Sequence, residues 1–323
     1  MEGDAPAAWQ RTAQAFTAAV GSGRLNLPLP GSGATWRRWA AFADLAGEDL
    51  SLARLGEGHA DALAILAELG GPSPGPGSRW GVWAANPPGP NVTATRQAGG
   101  WLLQGSKQYC SGARICTHAL VTAAADDGER LFAVRTDDLA PDTGSWPATG
   151  MAGSDTLDVG FPGVSAEPVG PPSGYVNRPG FSHGGAGVAA CWYGGARAVG
   201  RTLINAASKR DIGAHALAHL GAVDIALRTA RAALSVAADG IDADPDDLRG
   251  EGTVRSLRVK TLTEAVATEV MTRTGRALGA GPISHDEAHS RAVADLTVYL
   301  RQHHAERDLA RLGELVAGSG DTW

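Results

Sequence analysis

The chain has 323 residues, of which 43% are hydrophobic and 19% are charged, and its formal net charge is −6 at pH 7. This length and composition allow a large buried core and indicate two or three domains. The acidic excess argues against a nucleic-acid partner, because no basic surplus can neutralise phosphates. The amino terminus lacks the basic-then-apolar order of a signal peptide, and no apolar run is long enough to cross a bilayer. We therefore expect a cytoplasmic protein without a membrane partner.

The amino-terminal part of the chain carries two amphipathic patterns. In residues 7–20 and 36–69, apolar side chains recur at intervals of three and four, with Asp and Glu at the intervening positions. The sequence therefore predicts a helical segment over residues 1–75. The cluster GPSPGPGS cannot continue a helix, so it marks the end of this segment.

The next part of the chain is typical of β-structure. Short β-prone runs are separated there by clusters of Gly, Pro and Asp. The runs are WGVWAA, GWLLQGS, HALVTAA, RLFAVR and TLDVGF. This pattern predicts a central antiparallel β domain over residues 76–180.

Helical periodicity returns in the last part of the chain and predicts four long helices. These helices are expected over residues 184–208, 214–239, 248–278 and 285–316. Helices of that length, packed antiparallel, form a bundle, so residues 181–323 are predicted to be a four-helix bundle. The fold class is therefore predicted to be α+β.

The cysteines and histidines do not indicate a metal site. Cys110, Cys116 and Cys191 are odd in number and lack CxxC spacing, so we expect small buried side chains rather than a disulfide framework or a zinc ribbon. His215 and His219 have metal-compatible spacing, but no third ligand is evident nearby in the sequence. We interpret this pair as part of an ordinary helix face.

Four longer motifs follow one another along the chain. They are GWLLQGSKQYCSGA, GMAGSDTLDVGF, SKRDIGAHALAHLGAVDIALRTAR and RALGAGPISHDEAHSRAVADLTVYLRQHHAERDL. In this order they resemble motifs of the acyl-CoA dehydrogenases, a family of flavoproteins. The resemblance implies a divergent member with a shortened N-terminal helical domain. The implied fold is a short N-terminal helical segment, a central antiparallel β domain and a C-terminal four-helix bundle.

The resemblance also implies a cofactor, FAD, and positions that would bind it. Tyr109 stands where the family packs an aromatic residue against the isoalloxazine, and Ser111 stands where a hydroxyl bonds near N5. Arg210 stands where an arginine reaches the pyrophosphate of a flavin bound mainly by the neighbouring subunit. Gly279 and Gly281 would let backbone amides approach the adenosine half. Such sites need two chains, so a homodimer or homotetramer is expected.

The implied reaction is FAD-dependent α,β-dehydrogenation of an acyl thioester, carried by CoA or by a carrier protein, with an electron acceptor that the sequence does not specify. A base must remove the α-proton, and Glu306 is the carboxylate in the corresponding stretch. His303 and His304 occupy the usual Glu-Gly positions, so either imidazole is an alternative acid or base. Asp308 and Arg311 indicate an exposed ion-pair ladder, in which Glu306 is simply a solvated residue.

Two departures from the family pattern keep other functions open. WGVWAANPPGPNVTA replaces a Thr-Glu-Pro-x-x-Gly-Ser-Asp segment; Asn86 could supply an amide there, and Trp83 could fill the pocket. The helical segment before the β domain is about half the usual length. One alternative is a flavin-dependent monooxygenase of the same fold, which suits the two histidines. Another is a non-catalytic or flavin-free subunit that pairs with a full-length paralogue.

Overall fold

The computed structural model describes residues 7–89 and 91–319. Contacts between residues divide the chain into two compact units, which we call the sheet unit and the bundle unit. Within the described residues, the sheet unit consists of 7–27, 54–148 and 152–181, and the bundle unit consists of 28–53, 149–151 and 182–319. The division into residues 1–75, 76–180 and 181–323 stays a prediction about domains.

The predicted helical start of the chain is divided into three helices, α1 (Ala8–Gly21), α2 (Thr35–Glu48) and α3 (Leu50–Leu69). The long pattern over 36–69 is interrupted at Asp49, whose backbone is extended. The Asp49 carboxylate accepts a hydrogen bond of 2.9 Å from the Leu52 N–H in the first turn of α3. A side-chain cap therefore starts a new helix where the apolar periodicity alone continues.

The five β-prone runs all form strands of one seven-stranded sheet, whose order is β1-β4-β2-β3-β7-β5 with β6 paired to β7. Its strands β2 and β6 were not predicted. Most pairs of the described strands are antiparallel, whereas β1 and β2 each pair with β4 in parallel. The strands are β1 (Trp80–Trp83), β2 (Thr93–Gln97), β3 (Gly100–Cys110), β4 (His118–Ala125), β5 (Gly128–Arg135), β6 (Ala140–Asp142) and β7 (Leu157–Val169).

Strand β4 separates two parts of the sheet unit's core. Ala119 and Val121 are fully buried in one hydrophobic cluster. Leu120, which points to the opposite face, is fully buried in a second cluster together with Ile65 of α3 and Trp80. Because both faces of β4 are covered, its sequence is a continuous apolar run rather than an alternation of apolar and polar residues.

The long helices predicted for the end of the chain lie in the bundle unit, except for residues 179–181 at the start of the first of them. They are α5 (Pro179–Lys209), α6 (Gly213–Ala243), α7 (Gly252–Leu278), α9 (Glu287–Tyr299) and α10 (Glu306–Ser319), with short α4 (Gly174–Asn177) preceding them in the sheet unit and short α8 (Gly281–His285) between α7 and α9. The predicted helix 285–316 is broken, because a 3₁₀ turn at Leu300–Gln302 and a left-handed Ala305 separate α9 from α10.

Helices α6 and α7 form an antiparallel pair. At one point His219 Nδ1 lies 3.4 Å from an Arg273 guanidinium nitrogen. Towards the connecting loop, the Arg255 guanidinium lies against Gly240, where an added Cβ would meet Nε at 2.9 Å. The start of α6 and the end of α7 therefore lie at the same end of this pair, and the loop lies at the other end. No helix among the described residues is long and apolar enough to span a membrane.

Asp295 is a buried carboxyl inside the bundle unit. It is 4% exposed, and it accepts a hydrogen bond of 2.5 Å from the Met151 N–H. Burial raises the pKa of Asp295 to about 6, although the Met151 hydrogen bond acts in the opposite direction. The folded chain therefore binds this proton more tightly than the unfolded chain does. Its contribution to stability is present below about pH 4 and is lost as the pH rises towards 6.

We expect Asp295→Asn to stabilise the chain above pH 6. The neutral amide can still accept from Met151, and it removes the free-energy cost of a buried charge. The free energy of unfolding should rise by about 1–2 kcal/mol at pH 7.5 and stay nearly unchanged at pH 4. Urea unfolding of the variant and the parent at both pH values measures this difference. Asp224→Asn, at an exposed residue paired with Arg228, serves as the control. An equal gain in the free energy of unfolding at both pH values would contradict the raised pKa of Asp295.

Candidate functional site

Tyr109 presents an aromatic ring at the surface of the sheet unit. It lies near the end of β3, where the register between β3 and β7 shifts after Lys107. Its backbone is left-handed, with a φ of 60°, and its side chain is 54% exposed. Such a backbone is uncommon for a bulky residue and is found more often at functional sites. An exposed ring held in this way suits stacking against a flat ligand.

Ser111 lies just beyond Tyr109, but its polar groups are bonded inside the sheet unit. Its hydroxyl lies 2.9 Å from that of Thr156, which lies 2.7 Å from that of Ser154. Its carbonyl accepts a hydrogen bond of 2.9 Å from the indole N–H of fully buried Trp83. The cavity beside Ser111 measures about 10 Å³. That volume is too small for a cofactor, and Ser111 as a whole is 7% exposed.

Lys107 contacts Asn86 and Asn91, two residues of the stretch WGVWAANPPGPNVTA. Its buried ammonium has four acceptors for its three N–H groups: Asn86 Oδ1 (2.6 Å), Asn91 Oδ1 (3.0 Å) and the Thr122 carbonyl (3.0 Å) and hydroxyl (2.8 Å). The Asn86 amide in turn donates to Glu129 at 2.6 Å. Burial lowers the pKa of Lys107 to about 8, against the opposing charge of Glu129. Asn86 is therefore engaged with protein groups, a role that its sequence context did not reveal.

Arg210, Gly279 and Gly281 lie at the end of the α6–α7 pair away from its loop. Arg210 follows α5, is exposed and makes no side-chain hydrogen bond or ion pair with the described residues. Gly279 ends α7 with a left-handed φ of 67°. A Cβ added at either glycine would meet no atom within 4 Å. An unpaired guanidinium near open backbone fits an anionic group such as a phosphate.

His303 is a buried residue that closes the turn between α9 and α10. Its Nδ1 accepts from the Ala305 N–H at 3.2 Å, so Nε2 carries the proton and donates to the Thr261 hydroxyl at 2.9 Å. Burial lowers its pKa, which favours this neutral form. Its ring also meets the Trp192 ring edge-to-face, with centroids 6.5 Å apart. Both nitrogens are therefore used in holding the turn.

His304 and Glu306 are the accessible members of the predicted catalytic set. Both side chains are exposed, and His304 Nδ1 lies 3.5 Å from Asp308 Oδ1. Glu306 begins α10, and its side chain makes no hydrogen bond or ion pair with the described residues. The expected ladder between Asp308 and Arg311 does not form, since Arg311 pairs with Glu314 at 3.1 Å. The turn thus exposes one free carboxylate and one imidazole.

Comparison with known proteins finds similar folds among solved structures. No protein-family model and no curated protein matches the chain. KijD3 in complex with FMN and dTDP-3-amino-2,3,6-trideoxy-4-keto-3-methyl-D-glucose is 19% identical, with a TM-score of 0.79 over 98% of this chain and 92% of that one. TdsC from Paenibacillus sp. A11-2 with FMN and indole is 18% identical, with a TM-score of 0.79 over 98% and 97%. Butyryl-CoA dehydrogenase from Megasphaera elsdenii is 17% identical, with a TM-score of 0.76 over 98% and 100%.

These likenesses define the class of protein by its fold. The chain has the acyl-CoA dehydrogenase fold, with helices before a β-sheet and a long-helix region after it. The predicted α+β architecture and the resemblance to a divergent member of this group are confirmed at that level. Because the identities are below 20%, they establish the fold and not the reaction.

Proposed function

We propose that this chain is a flavin-dependent oxidoreductase. The observation that carries the proposal is the match of 98% of the chain to KijD3 and TdsC structures that contain FMN. An exposed aromatic ring at Tyr109 and an unpaired cation at Arg210 support it, because a flavin combines a flat ring with phosphate.

We assign the cofactor as FAD, with Tyr109 beside its ring and with Arg210, Gly279 and Gly281 at its phosphate and adenosine end. When bound, the flavin accepts a hydride from the substrate. The placement of Arg210 follows the family pattern of sharing the cofactor between subunits, so we propose a homodimer or homotetramer. Ser111 stays a predicted cofactor ligand, since a hydroxyl can donate one hydrogen bond and accept two, and its contact with Thr156 uses only one of these.

The reaction we propose is α,β-dehydrogenation of an acyl thioester, with Glu306 as the base that removes the α-proton. Glu306 supports this role because its carboxylate is exposed and unpaired among the described residues. His303 is the weakest of the three candidates, since both its ring nitrogens already make hydrogen bonds. His304 is accessible and is the alternative acid or base.

Monooxygenation is the second candidate reaction. TdsC is a dibenzothiophene monooxygenase, and exposed His304 stands in the stretch where the family's glutamate usually falls. A third possibility, a flavin-free subunit paired with a paralogue, is favoured by the internal hydrogen bonds of Ser111 and Asn86. One experiment distinguishes the monooxygenase, which should bind flavin, from the flavin-free subunit, which should not.

That experiment is the visible absorption spectrum of the purified protein, recorded alone and after addition of FAD or FMN. We expect a flavin band with FAD that bleaches without oxygen when butyryl-CoA or a longer acyl-CoA is added. Oxygen consumption by externally reduced enzyme, without bleaching by any acyl-CoA, would favour the monooxygenase. A protein that retains neither flavin would overturn the oxidoreductase proposal.

Arg210→Gln is expected to weaken FAD binding by about tenfold or more, because a charge-assisted hydrogen bond to phosphate is lost. Fluorescence titration with FAD measures the change. Arg228→Gln is the matched control, since Arg228 is an exposed arginine of α6 that pairs with Asp224 at 2.9 Å. If the two variants bind FAD with equal affinity, Arg210 is not part of the cofactor site.

A further inference from the structure

A long groove runs along the bundle unit between α6 and α7 and is flanked by the last turns of α10. Its volume is about 920 Å³. Small-molecule sites in proteins measure about 300–1,000 Å³, so this groove is large enough for a ligand. We call it the α6–α7 groove. Its residues are none of those assigned above to the flavin or to proton transfer.

The walls of the α6–α7 groove are largely aliphatic. Val236 of α6 is 70% exposed, and α10 contributes Leu315 and Val316 without burying any residue of its own. Val259 and Leu262 of α7 line the opposite wall. The groove extends from Gly240 to Thr229 along α6, a length of about 16 Å. This surface suits an extended apolar chain.

One end of the groove is strongly basic. Arg249, Arg255 and Arg258 line this end, with Glu251 as the single acidic residue of the lining. Glu251 pairs with Arg255 Nη2 at 3.0 Å. Arg249 and Arg258 make no side-chain hydrogen bond or ion pair with the described residues. This end therefore carries an excess of two positive charges in a chain whose net charge is −6.

Arg255 is the residue that points most directly to a ligand. Its Nη1 is buried and has no hydrogen-bond partner among the described residues. The guanidinium lies across α6 at Gly240, where any Cβ would lie 2.9 Å from Nε. A buried donor without an acceptor is costly, and a carboxylate is the acceptor that fits a guanidinium best.

We propose that the α6–α7 groove binds a single-chain amphipathic carboxylate, such as a fatty acid. A small rotation of the Arg255 guanidinium brings Nη1 to the carboxylate beside Arg249 and Arg258, and the aliphatic chain lies between Val236, Val259 and Leu315. A concave groove bounded by three helices suits one chain better than a flat lipid surface. This inference does not depend on the proposed flavin chemistry.

Isothermal titration calorimetry with sodium dodecanoate, kept below its micellar concentration, tests the proposal on the full chain. We expect one site per chain and binding at least about tenfold weaker with decanoate, because each buried methylene contributes about fourfold. Dodecyltrimethylammonium has a chain of the same length and the opposite charge, and it should not bind detectably. Equal binding of the two amphiphiles would indicate non-specific apolar association and overturn the proposal.

Two variants locate the binding. Arg255→Gln should weaken dodecanoate binding by about tenfold or more through loss of the charged donor. Ala233→Trp, which keeps the charge and fills the half-buried middle of the groove, should abolish it. Arg228→Gln, on the outer face of α6, should leave it unchanged. Wild-type affinity in both groove variants would place binding elsewhere and contradict the assignment.

Sedimentation velocity distinguishes the other possible occupant, a second copy of this chain. If the groove binds a fatty acid, Ala233→Trp leaves the assembly mass unchanged. If dodecanoate does not bind and Ala233→Trp lowers the assembly mass, the groove is an interface between copies and the fatty-acid proposal is wrong.

Discussion

Replacing Glu306 with Gln is expected to slow oxidation of an acyl thioester by about 10²–10⁴-fold while flavin stays bound. Glu306 is exposed and unpaired at the start of α10, so the isosteric amide removes the proton acceptor without breaking a contact among the described residues. The rate at which acyl-CoA bleaches the flavin band in a single anaerobic turnover measures this step directly. No external electron acceptor is needed for that measurement.

The matched control for this variant is Glu314→Gln in the same helix. Glu314 is also an exposed glutamate, and its only described ion pair is with Arg311. We expect the control to bleach at the parent rate. If Glu306→Gln also does so, Glu306 is a solvated helix residue, and His304→Asn becomes the next variant to measure. Loss of the flavin band in Glu306→Gln itself would instead indicate a structural role.

The long elements of the fold could be predicted because their periodicity is local. Apolar spacing of three and four residues identified the helices, and β-prone runs identified five strands. The breaks were missed, since they depend on single residues: the Asp49 carboxylate caps α3, and Ala305 adopts a left-handed backbone before α10. The short strand β6 has three residues and too little pattern to be recognised.

The candidate site was harder to predict, because its state depends on partners far away in sequence. Ser111 bonds Thr156, 45 residues further on, and Asn86 bonds Lys107 across 21 residues. A sequence motif can assign Ser111 to a position in the fold, but it does not show whether the Ser111 hydroxyl already bonds another residue of the chain. The basic end of the α6–α7 groove likewise depends on the register that brings Arg255 over Gly240.

The lack of a side chain at Gly194 allows helix α5 to pack closely against helix α2. Among the glycines of α5, Gly194 is the one whose added Cβ would lie nearest to an atom of α2. There an added Cβ would lie 2.2 Å from the Ala43 carbonyl oxygen and 2.7 Å from the Ala46 Cβ. Because the Ala43 carbonyl belongs to the backbone, no side-chain rotation can relieve the clash with a Cβ at residue 194.

Gly194→Ala is therefore expected to lower the free energy of unfolding by about 3 kcal/mol, since α2 and α5 must move apart to admit one methyl group. Gly221→Ala is the matched control: Gly221 is an interior position of α6, and its added Cβ would meet no atom within 4 Å. There the higher helix propensity of alanine should stabilise the chain by up to about 1 kcal/mol. Urea unfolding of the two variants measures both effects. Opposite signs support the close contact of α2 with α5, whereas stabilisation by both substitutions would mean that Gly194 has room for a side chain.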